Sequence, residues 1–204
     1  MNNLSYLNAM GIQSWQLKVK KEATPDLDGL KKAVASCTLC GLDKTRTQTV
    51  FGVGNPNADL MIIGEAPGFY EDQQGEPFVG RAGQLLTAML QSIGFDRNKV
   101  YIANILKCRP PNNRDPDTQE VELCTPFLKK QIALIQPKFL LALGRIAGHF
   151  LLDTDQPLAR MRGKIHQYQN IPLLITYHPA YLLRNPADKA KAYEDLLSAR
   201  QNLS

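Results

Sequence analysis

Three polar side chains stand where apolar runs end, and four cysteines complete the inventory of groups able to do chemistry. Glu65 lies in the turn Gly64-Glu65-Ala66-Pro67-Gly68, directly after Leu60-Met61-Ile62-Ile63. Gly64 and Gly68 permit positive φ or close backbone approach, and Pro67 fixes the turn between them. A carboxylate held there is a candidate for orienting water or offsetting positive charge. Asn104 stands near the end of a second apolar run, and His178 follows another, just before Pro179-Ala180. Cys37-Thr38-Leu39-Cys40 with Cys108 and Cys124 supplies four thiolates, enough to close around a tetrahedral zinc or a [4Fe–4S] cluster. Spacing alone does not choose between the two metals. A reduced compartment argues against two structural disulfides.

The elements that must position these groups follow from hydrophobic pattern. Leu60–Ile63, Val100–Leu106, Phe139–Leu143 and Leu173–Tyr177 read as strands. Helical stretches separate them, one carrying Leu85, Leu86, Met89 and Leu90 and ending at Gly94. Asp26 caps a helix whose Leu27, Leu30 and Val34 share a face and which delivers Cys37 and Cys40. Phe69 to Glu76 reads as an acidic, polar loop, and Cys108 to Asp115 as another. Asp115-Pro116 reads as a cap and first turn of a helix that Pro126 breaks or restarts. A last helix starts near Pro186.

Strands alternating with helices predict an α/β fold, a three-layer α/β/α sandwich around a central, mainly parallel four-stranded sheet. Glu65, Asn104 and His178 then meet at the carboxyl edge of that sheet. Residues 1–26 read as an N-terminal appendage and linker, and 27–204 as a single domain. The 204 residues carry a net charge of +5, which suits an anionic partner, nucleic acid first. No apolar run has the length of a membrane span, and no signal peptide stands at the start. These features predict a soluble, intracellular, monomeric protein that does not engage membranes.

Several ordered motifs together resemble the family 4, or iron–sulfur, uracil-DNA glycosylases. They are Gly64-Glu65-Ala66-Pro67-Gly68, Pro77-Phe78-Val79-Gly80-Arg81-Ala82-Gly83-Gln84-Leu85-Leu86 and Asn104-Ile105-Leu106-Lys107-Cys108-Arg109-Pro110-Pro111. Leu143-Gly144, Arg162-Gly163-Lys164 and His178-Pro179-Ala180-Tyr181-Leu182-Leu183 continue the match. The resemblance implies a uracil-DNA glycosylase fold and a structural [4Fe–4S] cluster on Cys37, Cys40, Cys108 and Cys124. It further implies a monofunctional enzyme that hydrolyses uracil from single- or double-stranded DNA and so starts base excision repair. One related subgroup traps DNA through a histidine in an insertion after the asparagine strand; residues 107–117 carry neither.

The same resemblance assigns roles. Phe78 stacks on the extruded base, Asn104 reads its N3–H and O4 edge, and Glu71 blocks a 5-methyl group. His178 donates to O2 as negative charge builds, and Glu65 faces the sugar and water. Gly64 and Ala66 complete the substrate contacts, Ala66 standing where the better-known branch of the superfamily has an aspartate. Arg160, Arg162, Lys164 and Arg184 are expected on phosphates, and Tyr181, Leu182 and Leu183, Leu182 first, are expected to include a wedge that enters the vacated stack. Taken singly, each has a plainer reading: Phe78 as a core aromatic, Asn104 as a strand-end tie, Glu65 as a brace on backbone N–H groups, Leu182 as packing. An iron–sulfur redox protein and a non-catalytic DNA-binding module are the rival functions.

Overall fold

Runs of Leu, Ile and Phe that stop at Gly, Asn or Thr build the interior strands of one sheet. The computed structural model describes residues 26–203; the appendage expected over residues 1–26 lies, but for Asp26, outside the described residues. The strands are β1 (Val53–Gly54), β2 (Leu60–Gly64), β3 (Tyr101–Asn104), β4 (Phe139–Leu143), β5 (Ile165–Tyr168) and β6 (Ile171–Thr176). They lie in the order β1-β3-β2-β4-β6-β5. The four strands anticipated from the sequence form a parallel centre. β1 and β5 add antiparallel edges, so the sheet is mixed and, among the described residues, six-stranded rather than four-stranded. β1 falls at the end of residues 49–54, which read in the sequence as a short extended piece, whereas β5, alternating exposed and half-buried positions, carries no such signal.

The helices are α1 (Leu27–Ala35), α2 (Phe69–Gln74), α3 (Arg81–Ser92), α4 (Thr118–Ile135), α5 (Arg145–Leu152), α6 (Leu158–Met161), α7 (Pro179–Arg184) and α8 (Lys189–Gln201). Alternate strand residues face opposite layers. Leu60 and Ile62 pack with Leu86 and Leu90 of α3, Leu182 of α7 and Leu196 of α8. Met61 and Ile63 pack with Leu128 and Ile132 of α4 and Ala147 of α5. The result is the expected three-layer α/β/α sandwich. From β2 the chain goes to β3 on one side and later to β4 on the other, so loops diverge at the carboxyl end of β2. Open α/β sheets bind ligands at such a switch point.

Local chemistry departs from the sequence reading in three places. Phe69–Gln74 is a helix, not a loop; buried Asp72 ties it down by accepting from the Thr47 backbone N–H at 2.9 Å. α4 begins at Thr118, capped by Asp117 and not Asp115, because Glu120 reaches back to the Asp117 N–H at 2.9 Å. Pro126 sits inside α4 without ending it. Burial of Cys124, Leu128 and Ile132 on either side holds the helix through the hydrogen bond that proline removes.

Two expected DNA contacts are structural. Leu182 is 1% exposed and packed in the core, so it has no access to a base stack. Arg162 forms a bidentate pair with Asp195, Nη2 to Oδ1 at 2.7 Å and Nε to Oδ2 at 3.1 Å. Thr176 Oγ1 also donates to Asp195 Oδ2 at 2.7 Å, so α8, the α6–β5 loop and the end of β6 converge on one buried carboxylate. Asp195→Ala leaves that guanidinium and hydroxyl unpaired and should cost about 3 kcal/mol of stability. Urea denaturation should show a lower midpoint with an unchanged slope.

Candidate active site

A cavity of about 430 Å³ opens at the switch point, lined among others by Glu65, Ala66, Glu71, Phe78, Asn104 and His178. Three strand ends and two loops converge there. The convergence depends on Gly64, the last residue of β2. A Cβ at Gly64 would lie 2.3 Å from Asn104 Oδ1 and 2.8 Å from Phe78 Cζ. The glycine is needed for close approach, not for positive φ, which neither Gly64 nor Gly68 adopts.

Phe78 is held in an unusual backbone state, with φ of +55° and 7% exposure. Glu71 on α2 supports that turn, its Oε1 accepting from the backbone N–H of Val79 at 3.1 Å and of Gly80 at 3.4 Å. Gly83 does the same from α3, since a Cβ there would fall 1.7 Å from the Phe78 carbonyl oxygen. Glu71 therefore lines the cavity as an anchored helix residue, not as one acid in a solvated loop.

Asn104 is 2% exposed, and its Oδ1 is buried without a hydrogen-bond partner. An orphaned buried acceptor facing a cavity is costly unless a ligand donates to it. Behind it, buried Lys107 donates from Nζ to the Asn104 backbone carbonyl at 2.6 Å. His178 caps α7, its Nδ1 accepting from the Ala180 N–H at 3.1 Å. That bond leaves the proton on Nε2, directed away from the cap. Burial first, and Arg184 second, push the His178 pKa down to about 4, so the imidazole is a neutral donor. Its ring stands 5.7 Å from that of Phe78.

Glu65 is half-buried, and burial, reinforced by Asp115, raises its pKa to about 7 despite Arg145 nearby. Its carboxylate makes no hydrogen bond among the described residues, which removes the reading of Glu65 as a loop brace. The loop after β3 adds Asn113, Arg114 and Asp115 to the cavity wall. Arg114 is fixed there by a bidentate pair with Glu120, at 2.6 and 2.9 Å.

The four cysteines surround a separate small cavity together with Val34, Arg46, Lys107 and Phe127. Arg46 Nη1 donates to Cys108 Sγ at 2.9 Å, and the Lys107 backbone N–H to Cys124 Sγ at 3.3 Å. Burial pushes the Cys124 thiol up to about 11, so only a metal would hold it as thiolate at neutral pH. Among the described residues, no three His, Cys, Asp or Glu side chains are placed to hold a single metal ion.

Comparison with known proteins agrees with this geometry. The model of the uracil DNA glycosylase superfamily matches residues 51–197. The type-4 uracil-DNA glycosylase of Archaeoglobus fulgidus is 45% identical over 168 residues, covering 78% of this chain and 84% of that protein. The type-4 enzyme of Thermotoga maritima is 41% identical, over 84% of this chain and 91% of its own length. The chain belongs to the type-4 uracil-DNA glycosylases. A type-5 uracil-DNA glycosylase of Pyrobaculum aerophilum is more distant, at 28% identity over 63% of this chain.

Within this type-4 member, the structure gathers Glu65, Ala66, Glu71, Phe78, Asn104, His178 and Arg184 around one cavity, with Gly64 behind Asn104 and Phe78. Arg160 and Lys164 are exposed but do not line this cavity, and Arg162 and Leu182 are committed to packing. Asp115, Asn113, Arg114 and Arg46 went unassigned in the sequence, because nothing but folding brings their segments to the site. The imidazole makes a direct prediction. His178 should stay neutral, as the Nε2–H tautomer, down to about pH 4 in an NMR titration. Arg184→Ala should raise that value, since it removes a nearby positive charge.

Proposed function

We propose that this protein hydrolyses the bond between uracil and deoxyribose in DNA, releasing the base and leaving an abasic site. The observation that carries the proposal is the unpartnered, buried Oδ1 of Asn104 beside the Phe78 ring. Uracil N3–H is a donor that matches it, while cytosine N3 is an acceptor and leaves it orphaned. Phe78 stacks on the extruded base and offsets part of the cost of unpairing it. Glu71 stands where a 5-methyl group would intrude, and Gly64 and Ala66 leave room for the ring.

The chemistry divides between two groups on opposite sides. The C1′–N1 bond breaks with its electron pair leaving on the base. His178 Nε2–H donates to uracil O2, a hydrogen bond that strengthens as that anion forms. Glu65 orients the water that forms the new C1′–O bond and accepts its proton. Its negative charge offsets the oxocarbenium-like charge on the sugar. Ala66 offers no carboxylate, so Glu65 carries this duty. Arg184 at the mouth, and Arg160 and Lys164 beyond it, meet backbone phosphates of single- or double-stranded DNA by one monomer.

Cys37, Cys40, Cys108 and Cys124 would hold a [4Fe–4S] cluster. The positive charges of Arg46 and Lys107 beside the thiols favour the larger, anionic cluster over a single zinc. When bound it staples α1, the loop after β3 and α4; it supplies no step of the hydrolysis. The purified protein should contain about four iron and four sulfide per chain. Stoichiometric zinc without iron would overturn the assignment.

The functional test is incubation with oligonucleotides carrying one uracil, followed by alkali. Breakage at the uracil is expected, and its absence at every salt concentration would reject the reading. His178→Ala should lower kcat by about 100-fold with little change in substrate affinity. A second test is pH. Glu65 acts ionised, and its pKa lies near 7, so kcat should fall as pH drops below about 7. Asp115→Asn removes a neighbouring negative charge, lowers the Glu65 pKa and should move this acid limb to lower pH. A limb that stays in place would show that another group controls water activation.

A further inference from the structure

Next to the uracil cavity lies a second concavity of about 540 Å³ that no step above uses. Glu65, Asp115, His178 and Arg184 form the shared wall, and Tyr177, Tyr181 and Arg145 line the far side. The two tyrosine rings are already stacked, with centroids 5.3 Å apart and planes 9° from parallel. The Arg162 guanidinium stands over Tyr177, 5.1 Å from its centroid. Arg162 is itself locked by Asp195, so the inner end of this column is fixed to the core. The outer ring, Tyr181, is 36% exposed and held by its hydroxyl, which donates to Asp188 at 2.8 Å. Arg184 is exposed and makes no ion pair among the described residues.

A fixed aromatic surface, an unpaired guanidinium and a direct opening to the uracil cavity make up the chemistry of a nucleotide site. Bases stack on exposed rings whatever their identity, and Arg meets the connecting phosphate. We propose that this concavity is a second nucleobase subsite, in which the nucleotide adjacent to the uracil stacks on Tyr181 with its phosphate at Arg184. The inference rests on the glycosylase reading and deepens it, because it specifies the form of the DNA. A base lying on Tyr181 has left its own duplex stack and its partner. The preferred substrate is therefore uracil in a strand whose neighbouring nucleotide is unpaired, as in single-stranded or frayed DNA.

The test uses single-stranded oligonucleotides with one uracil whose 5′ or 3′ neighbour is either a normal nucleotide or a tetrahydrofuran residue lacking a base. Uracil release gives kcat/KM, and fluorescence anisotropy gives binding independently of catalysis. For the wild-type protein, deleting the base on one of the two sides should lower both affinity and kcat/KM by roughly 5- to 150-fold. Tyr181→Ala should lose a similar factor on the complete strand and nothing further on the strand lacking that base. Tyr181→Phe loses the Asp188 bond but keeps the ring and its stack on Tyr177, and should retain the discrimination between complete and base-lacking strands. A complementary strand pairing the neighbour should slow the wild type, and Tyr181→Ala should narrow that difference. Indifference of the wild type to both missing bases overturns the subsite while leaving the glycosylase reading intact. Equal losses from Tyr181→Ala on complete and base-lacking strands overturn it too, by showing that the ring acts on the fold. If no strand releases uracil, the glycosylase reading fails first, and the binding arm still decides the subsite.

Discussion

Asn104, Phe78 and the end of β2 occupy a space that only a glycine backbone permits. With Asn104 Oδ1 only 2.3 Å from where a Gly64 Cβ would stand, every other residue would displace the amide or the ring. The positions of the other groups depend on that approach. Phe78 takes its positive φ because Glu71 and Gly83 hold the following turn against α2 and α3. Parallel pairing of Gly64 with Asn104 sets the amide's height in the cavity. The placement of Asn104 and Phe78 is thus built into the sheet and helices α2 and α3, where packing leaves little room for adjustment.

The ionisable groups are held less comfortably, and each carries a stability cost of stated sign. Glu65 binds its proton more tightly folded than unfolded, so its contribution to stability is present below about 4.3 and is lost as pH rises through about 7. Ionised Glu65 at neutral pH is therefore a strained state that the rest of the fold maintains. His178 has the opposite sign: neutrality is favoured, and stability is lost as pH falls from about 6.5 toward about 4. Around the cysteines, buried Lys107 links two regions, its backbone N–H on Cys124 and its ammonium on the Asn104 carbonyl. The segment that carries Cys108 thus also fixes the strand end that presents Asn104.

What the sequence revealed and what it concealed have one physical basis. β2, β3, β4 and β6 have buried cores, so they appear as continuous apolar runs, three of which lead into Glu65, Asn104 and His178. Edge strands β1 and β5 lack that burial, and β5 lacks any signal. α2 has six residues without an apolar stripe, and its helix is stabilised by Asp72 accepting from a distant backbone rather than by its own pattern. Arg162 and Leu182 carry motifs that suit a DNA contact, but a partner 33 residues away and the core claim them. Asp115 and Arg145 show the converse, since the pair at 3.6 Å joins the loop after β3 to the start of α5, two segments with no common sequence feature. Side-chain types and strand ends are local and legible; what each side chain finally touches is set by the fold.

Recognition and hydrolysis therefore respond differently to solution conditions. Asn104 and Phe78 do not ionise, and His178 remains neutral above about 4. The amide, the ring and the imidazole at the cavity therefore keep their charge state across the neutral range. Glu65 changes charge there, its environment set by burial, Asp115 and Arg145. On the proposed roles, specificity is rigid and neutral, and rate is tuned through one carboxylate and the two residues that set its proton affinity.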